Sequence, residues 1–168
     1  MLDIFHTLAE VSVAVTGFSS LIVIFRGNLL QWSQQDYVAF AFVLSWSIGG
    51  IFLSLLPILL VEFELDISEA SKIGLFCFIG FFVIVGGLLT RLQKRIENET
   101  GESAKSKVRF AMSIFFFILI VISALAGFQL LPGPVHAWYA LIIILLMAAA
   151  IQNLLDFMMR SVRSINDT

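Results

Sequence analysis

The sequence predicts an all-α fold, an integral membrane bundle of five transmembrane helices with the N-terminus outside and the C-terminus inside. Three observations carry this. First, the 168 residues are 60% hydrophobic and only 13% charged, with a mean hydropathy of +1.00, whereas soluble domains are about half apolar and a quarter charged. Second, the apolar residues fall into five runs, at about 4–25, 37–61, 73–92, 108–131 and 137–159. Each run is long enough to cross about 30 Å of hydrocarbon at about 1.5 Å per residue. Third, Arg26, Arg91, Lys94, Arg95, Lys105, Lys107, Arg109, Arg160 and Arg163 all fall on the side of the C-terminus and only Lys72 on the other. Short loops with that bias stay cytoplasmic. The connections are too short for a second domain, so residues 1–168 read as one five-span unit.

The first run, IFHTLAEVSVAVTGFSSLIVIFRG, has no basic residue before it and ends at Arg26 rather than at a small-residue cleavage site, so it reads as a retained span. At 100° per residue, Asp3, His6, Glu10 and Gly17 fall within about 60° of one another, while Ser12, Thr16 and Ser19 gather on a different side. An ionisable side chain inside a span is costly and marks a functional candidate. Glu10 is that residue, and His6, one turn above it, is within reach of a hydrogen bond or a shared proton. Ser12, Thr16 and Ser20, at four-residue spacing, form a surface that another helix can approach closely.

Before the second run, Ser33 is placed to cap the helix, with Asp36 three residues on and Trp32 able to pack onto Tyr37. Within the run, Gly49 and Gly50 share four-residue spacing with Ser45 and Ser54, again a packing pattern. Pro57 removes a hydrogen bond near Leu53 and predicts a kink. The following loop, VEFELDISEASK, gathers Glu62, Glu64, Asp66 and Glu69 on the outer side.

The third run holds Cys77, expected as a small buried apolar residue, and Gly80, Gly86 and Gly87, expected at packing faces. The pairs Gly49-Gly50 and Gly86-Gly87 also have the character of the loosened helices of transporters. Beyond 92 the helix is expected to continue for about two turns, with Lys94 to Asn98 and Arg95 to Glu99 at i,i+4 spacing and Gly101 as a stop. This makes a cytoplasmic helical hairpin over about 93–107. Arg91, Lys94, Arg95, Lys105, Lys107 and Arg109 are placed to contact anionic lipid headgroups, although the inside rule alone accounts for them. The segment lacks the stacking aromatics of a nucleic-acid binder.

Between the fourth and fifth runs, Pro132, Gly133 and Pro134 break the chain, and Trp138 and Tyr139 read as an outer aromatic belt. Gln129 and His136 lie at a depth similar to that of His6 and Glu10, so these four suggest an outer vestibule. A metal site of two His and one carboxylate is a weaker reading, because the spacing is not that of a metal-binding helix, and no metal or cofactor is expected. Gln152 and Asp156, one turn apart near the inner end of the fifth run, suggest an inner mouth. The simpler account of Asp156 is an interfacial ion pair with a snorkelling Arg160.

The stretch LAEVSVAVTGFSSLIVIF resembles the opening of small, uncharacterised bacterial inner-membrane proteins that carry an acidic residue followed by a Gly-Phe pair, here Glu10, Gly17 and Phe18. The resemblance covers the first span, implies a bacterial inner membrane, and implies no established activity. No Ser-His-Asp set, matched aspartate pair or phosphate-cradling glycine loop points to an enzyme. The expected function is a homo-oligomeric channel or permease for ions or protons, with Glu10, His6, His136, Gln129, Gln152 and Asp156 along the pathway. The alternative is a non-transporting accessory or scaffold protein in which Glu10 is glue between helices. Two polar stripes on one helix require two different polar neighbours, which favours transport.

Overall fold

A computed structural model describes residues 2–27, 34–100 and 106–166, with side chains described over 2–21, 37–38, 40–95, 114–155 and at 158. Every described element is helical: α1 (Leu2–Gly27), α2 (Gln34–Glu62), α3 (Ile67–Phe81), a π-helical turn (Phe82–Gly86), α4 (Gly87–Thr100), α5 (Ser106–Gly127) and α6 (Val135–Asn166). α3, the π turn and α4 run on as one rod, so the bundle has five rods. Four stretches are long and apolar enough to cross a membrane: Leu2–Leu21, Phe40–Glu62, Ile67–Arg95 and Val135–Leu155. The described apolar part of α5 is shorter, Ile114–Gly127. Large apolar side chains such as Ile4, Phe52, Leu59, Phe117 and Ile144 stand exposed around the bundle, the surface expected of a multi-pass membrane protein in contact with lipid.

Local chemistry sets the helix ends. After α2 the chain reverses with Leu65 N–H donating to Leu60 O (3.2 Å) and Glu64 N–H to Val61 O (2.9 Å). After α5, Leu130 N–H donates to Leu125 O (2.9 Å) and Gln129 N–H to Ala126 O (3.0 Å). Both are Schellman closures, which place one residue in the left-handed region, where glycine is favoured. Here Glu64 (φ 67°) and Gln129 (φ 58°) occupy that position. The expected fourth run thus stops a turn early: a C-terminal closure, and not Pro132, ends the helix. Asp66 caps α3 by accepting from Ser68 N–H (2.9 Å), and Glu69 pairs with Lys72 at 2.6 Å. α4 continues past 92 to Thr100, as the i,i+4 pattern required. Gly101 and Lys105 of the expected hairpin, and Trp32 and Ser33, lie outside the described residues, as does the side chain of Asp36.

α2 and α6 form the inner pair, and each packs against several other helices. On α6 the buried stripe is Tyr139, Ile142, Ile143, Leu146, Met147 and Ala150, the repeat that puts one face of a helix against neighbours. Trp46 of α2, 1% exposed, is clasped by aromatics from three elements. It stacks on Phe82 at 5.1 Å and on Phe116 at 5.1 Å, and meets Phe81 edge-on at 6.0 Å.

The close approaches fall where the glycines of α2 predicted them. A Cβ at Gly50 would collide with Met147 Cε and stand 2.9 Å from Ser12 Oγ, and one at Gly49 would collide with the Phe81 ring. Gly86 and Gly87 behave differently. A Cβ at Gly87 would meet nothing within 4 Å, and one at Gly86 would touch only the ring of Phe82 in its own turn. No neighbouring helix among the described residues packs on either. Cys77 is exposed on the outer surface, not buried.

Candidate functional site

α1 divides into two faces. Phe5, Leu8, Ala9, Ser12 and Ser19 are buried and Thr16 is half-buried, whereas Asp3, His6, Glu10 and Gly17 are exposed. The hydroxyl stripe therefore faces the bundle and the acidic stripe faces away from it. The hydroxyls are satisfied locally: Ser12 Oγ donates to Leu8 O (2.7 Å) and lies 2.8 Å from Met147 Sδ, Thr16 Oγ1 donates to Ser12 O (2.8 Å), and Ser19 Oγ donates to Val15 O (2.6 Å). Such back-bonding lets a hydroxyl sit in an apolar interior without a partner helix. Ser20, expected at a packing face, is instead exposed, with its hydroxyl on Thr16 O at 3.0 Å.

His6 and Glu10 line an open groove of about 420 Å³ between α1 and α2. Its walls on α1 are Ala9, Val13 and Ala14, and on α2 they are Ile51 and Leu55. The two alanines make the depression, and the two ionisable groups mark one edge of an otherwise apolar trough. Glu10 lies eight residues into α1 (Leu2–Gly27), about 12 Å along the axis from its first residue. Neither side chain has a hydrogen-bond or ion-pair partner among the described residues, so the expected His6 to Glu10 bond is not formed.

The structure does not gather the expected outer vestibule into this groove. His136 is half-buried in the first turn of α6, and Gln129 is exposed in the closure after α5, where its backbone conformation serves the chain reversal. No three His, Cys, Asp or Glu side chains converge among the described residues. Gln152 is exposed on α6, and the side chain of Asp156 lies outside the described residues, as do those of Arg160, Lys107 and Arg109. Arg91, Lys94 and Arg95 are exposed near the end of the long rod.

Two residues matter in ways the sequence did not reveal. Tyr139, expected in the belt, is fully buried; its neighbour Trp138 remains at the loop, with Nε1–H donating to Pro132 O at 3.0 Å. The Tyr139 hydroxyl donates to Leu53 O at 2.5 Å. That carbonyl sits four residues before Pro57, the one that proline leaves without a helical donor, and α2 runs on through Pro57 unbroken. The Tyr139 ring also packs on Phe5 at 5.7 Å and fills the space above Gly74, where a Cβ would stand 2.5 Å from Cζ. One side chain thus ties α1, α2, α3 and α6 together. The second residue is Trp46, whose indole N–H is buried without a partner among the described residues. No family model, curated protein or solved structure matches the chain.

Proposed function

We propose that the protein is a homo-oligomeric channel or permease for ions or protons in a bacterial inner membrane. In this reading it has five spans, with the N-terminus outside and the C-terminus inside, and it carries no catalytic step. The observation that supports it is the outward stripe of α1. Glu10 is exposed within the apolar helix α1, about 12 Å from its first residue and at the open groove between α1 and α2. A charged carboxylate facing lipid within the hydrocarbon costs up to about 3 kcal/mol on insertion scales, the figure for the bilayer centre. Water in a shared interior, or a second copy of the chain, removes that cost. Because the hydroxyl stripe is already satisfied within the bundle, the acidic stripe is the part of α1 that requires something more. Five thin rods leave little room for a pore inside one chain, so several copies enclosing a common path fit better.

The basic cluster at Arg91, Lys94 and Arg95 suits contact with anionic headgroups on the inner side and holds the orientation. The test is flux into liposomes holding purified protein, wild type beside Glu10→Gln, with stoichiometry followed by native mass spectrometry. Flux that the substitution changes at constant stoichiometry supports the reading. Absence of flux in both, with a smaller assembly in the mutant, overturns it and leaves Glu10 as glue between protein partners.

A further inference from the structure

The groove between α1 and α2 has a composition that selects among ligands. An inorganic cation that sheds its water needs several oxygen ligands from the protein, and the groove offers one carboxylate and one imidazole against five apolar side chains. The nearby hydroxyls of Ser12 and Thr16 are bonded to Leu8 O and Ser12 O and lie on the face of α1 turned inward. An anion meets the charge of Glu10. A neutral apolar molecule gains nothing from the His6 and Glu10 edge. What matches both parts is a monocation with a hydrocarbon body: its charge rests at Glu10, and its apolar part lies along Val13, Ile51 and Leu55. The volume, about 420 Å³, lies within the range of small-molecule sites, about 300–1,000 Å³.

We propose that this groove binds an amphipathic organic cation, of the substituted-ammonium or phosphonium class, that reaches Glu10 from the lipid side. The inference rests on the reading of the α1 stripe as a pathway, and it names what that pathway carries. Apolar burial against the groove walls supplies most of the affinity, and the carboxylate supplies the sign selectivity.

The experiment is equilibrium binding of labelled tetraphenylphosphonium to the purified full-length protein, with tetraphenylborate as an anionic competitor of the same shape. Saturable binding is expected in wild type, weakened about tenfold or more by Glu10→Gln as a charge-assisted contact is lost. Glu10→Asp retains a measurable part of it. Ala14→Phe, at an exposed position, fills the trough without altering charge and weakens binding by a similar factor. Tetraphenylborate does not compete. Absence of saturable binding in wild type, or wild-type affinity retained in Glu10→Gln or in Ala14→Phe, overturns the inference. The outcome is separable from that of the pathway reading. Proton or inorganic-ion flux that depends on Glu10, without phosphonium binding, sinks the ligand class and leaves the pathway. Glu10-dependent binding without flux of any kind keeps the site and sinks the pathway.

Discussion

Replacing Tyr139 with Phe deletes one oxygen and leaves the ring, so it isolates the bond from Tyr139 to Leu53 O. The hydroxyl is fully buried, Leu53 is 4% exposed, and the bond spans 2.5 Å. The acceptor is unusual, because Pro57 cannot donate to it, so removing the hydroxyl leaves a buried carbonyl with no donor from either source. An unmet buried acceptor costs about 1–3 kcal/mol, and hydrogen bonds between membrane helices average about 0.6 kcal/mol with a maximum near 1.7. The orphaned carbonyl places Tyr139→Phe at the upper end of the membrane range, about 1.5 kcal/mol. Pro57→Ala restores an N–H to the same carbonyl, and in that background Tyr139→Phe is expected to cost about 0.5 kcal/mol or less. The coupling in the double-mutant cycle is therefore about 1 kcal/mol. Equilibrium unfolding in mixed detergent micelles, followed by far-ultraviolet circular dichroism, measures all four corners. Equal costs of Tyr139→Phe in the Pro57 and Ala backgrounds would refute the account of this side chain as the substitute donor.

Three further predictions test the helix ends and the glycine faces. Gln129→Gly relieves a left-handed residue at the closure after α5 and is expected to stabilise the fold by about 0.5–1 kcal/mol; a loss of stability in the same unfolding assay would mean that the Gln129 side chain makes a contact beyond the turn. Gly50→Ala pushes a methyl group into Met147 and Ser12 and is expected to cost about 1–3 kcal/mol. Gly87→Ala meets open space and, by helix propensity, gains up to about 1 kcal/mol. If native mass spectrometry instead showed Gly87→Ala breaking an assembly, a second copy would be packing on that face.

The rods were legible because hydropathy is a sum over consecutive residues, and a run of 20 survives errors at its ends. Pro57 was also legible as the residue that strips a carbonyl near Leu53. What the sequence did not carry was the donor that replaces it, because that depends on how α6 sits across α2. Tyr139 was read with Trp138 as an interfacial pair because the two are adjacent, yet adjacent helical residues point about 100° apart. The phase of Tyr139 with Ile142, Ile143 and Leu146 was the available signal for burial. The two stripes of α1 were likewise visible as two stripes. Which one faces inward depends on Gly50 and Met147 receiving Ser12, a match among three helices that no single helix encodes. The open edge of the groove follows from it.

The widened turn at Phe82–Gly86 divides its rod into two pieces with separate angular settings. Above it, α3 lies among α2, α5 and α6; below it, α4 runs chiefly along α2. In an uninterrupted α-helix the orientation of Leu75 and Phe78 would dictate where Leu89, Arg91 and Lys94 face. The extra residue acts as a phase shifter, so the enclosed upper half and the charged lower end can each be turned to suit different surroundings. A one-residue change of length at this turn could be taken up by its hydrogen-bond pattern, whereas elsewhere in the rod it would rotate every side chain beyond it by about 100°.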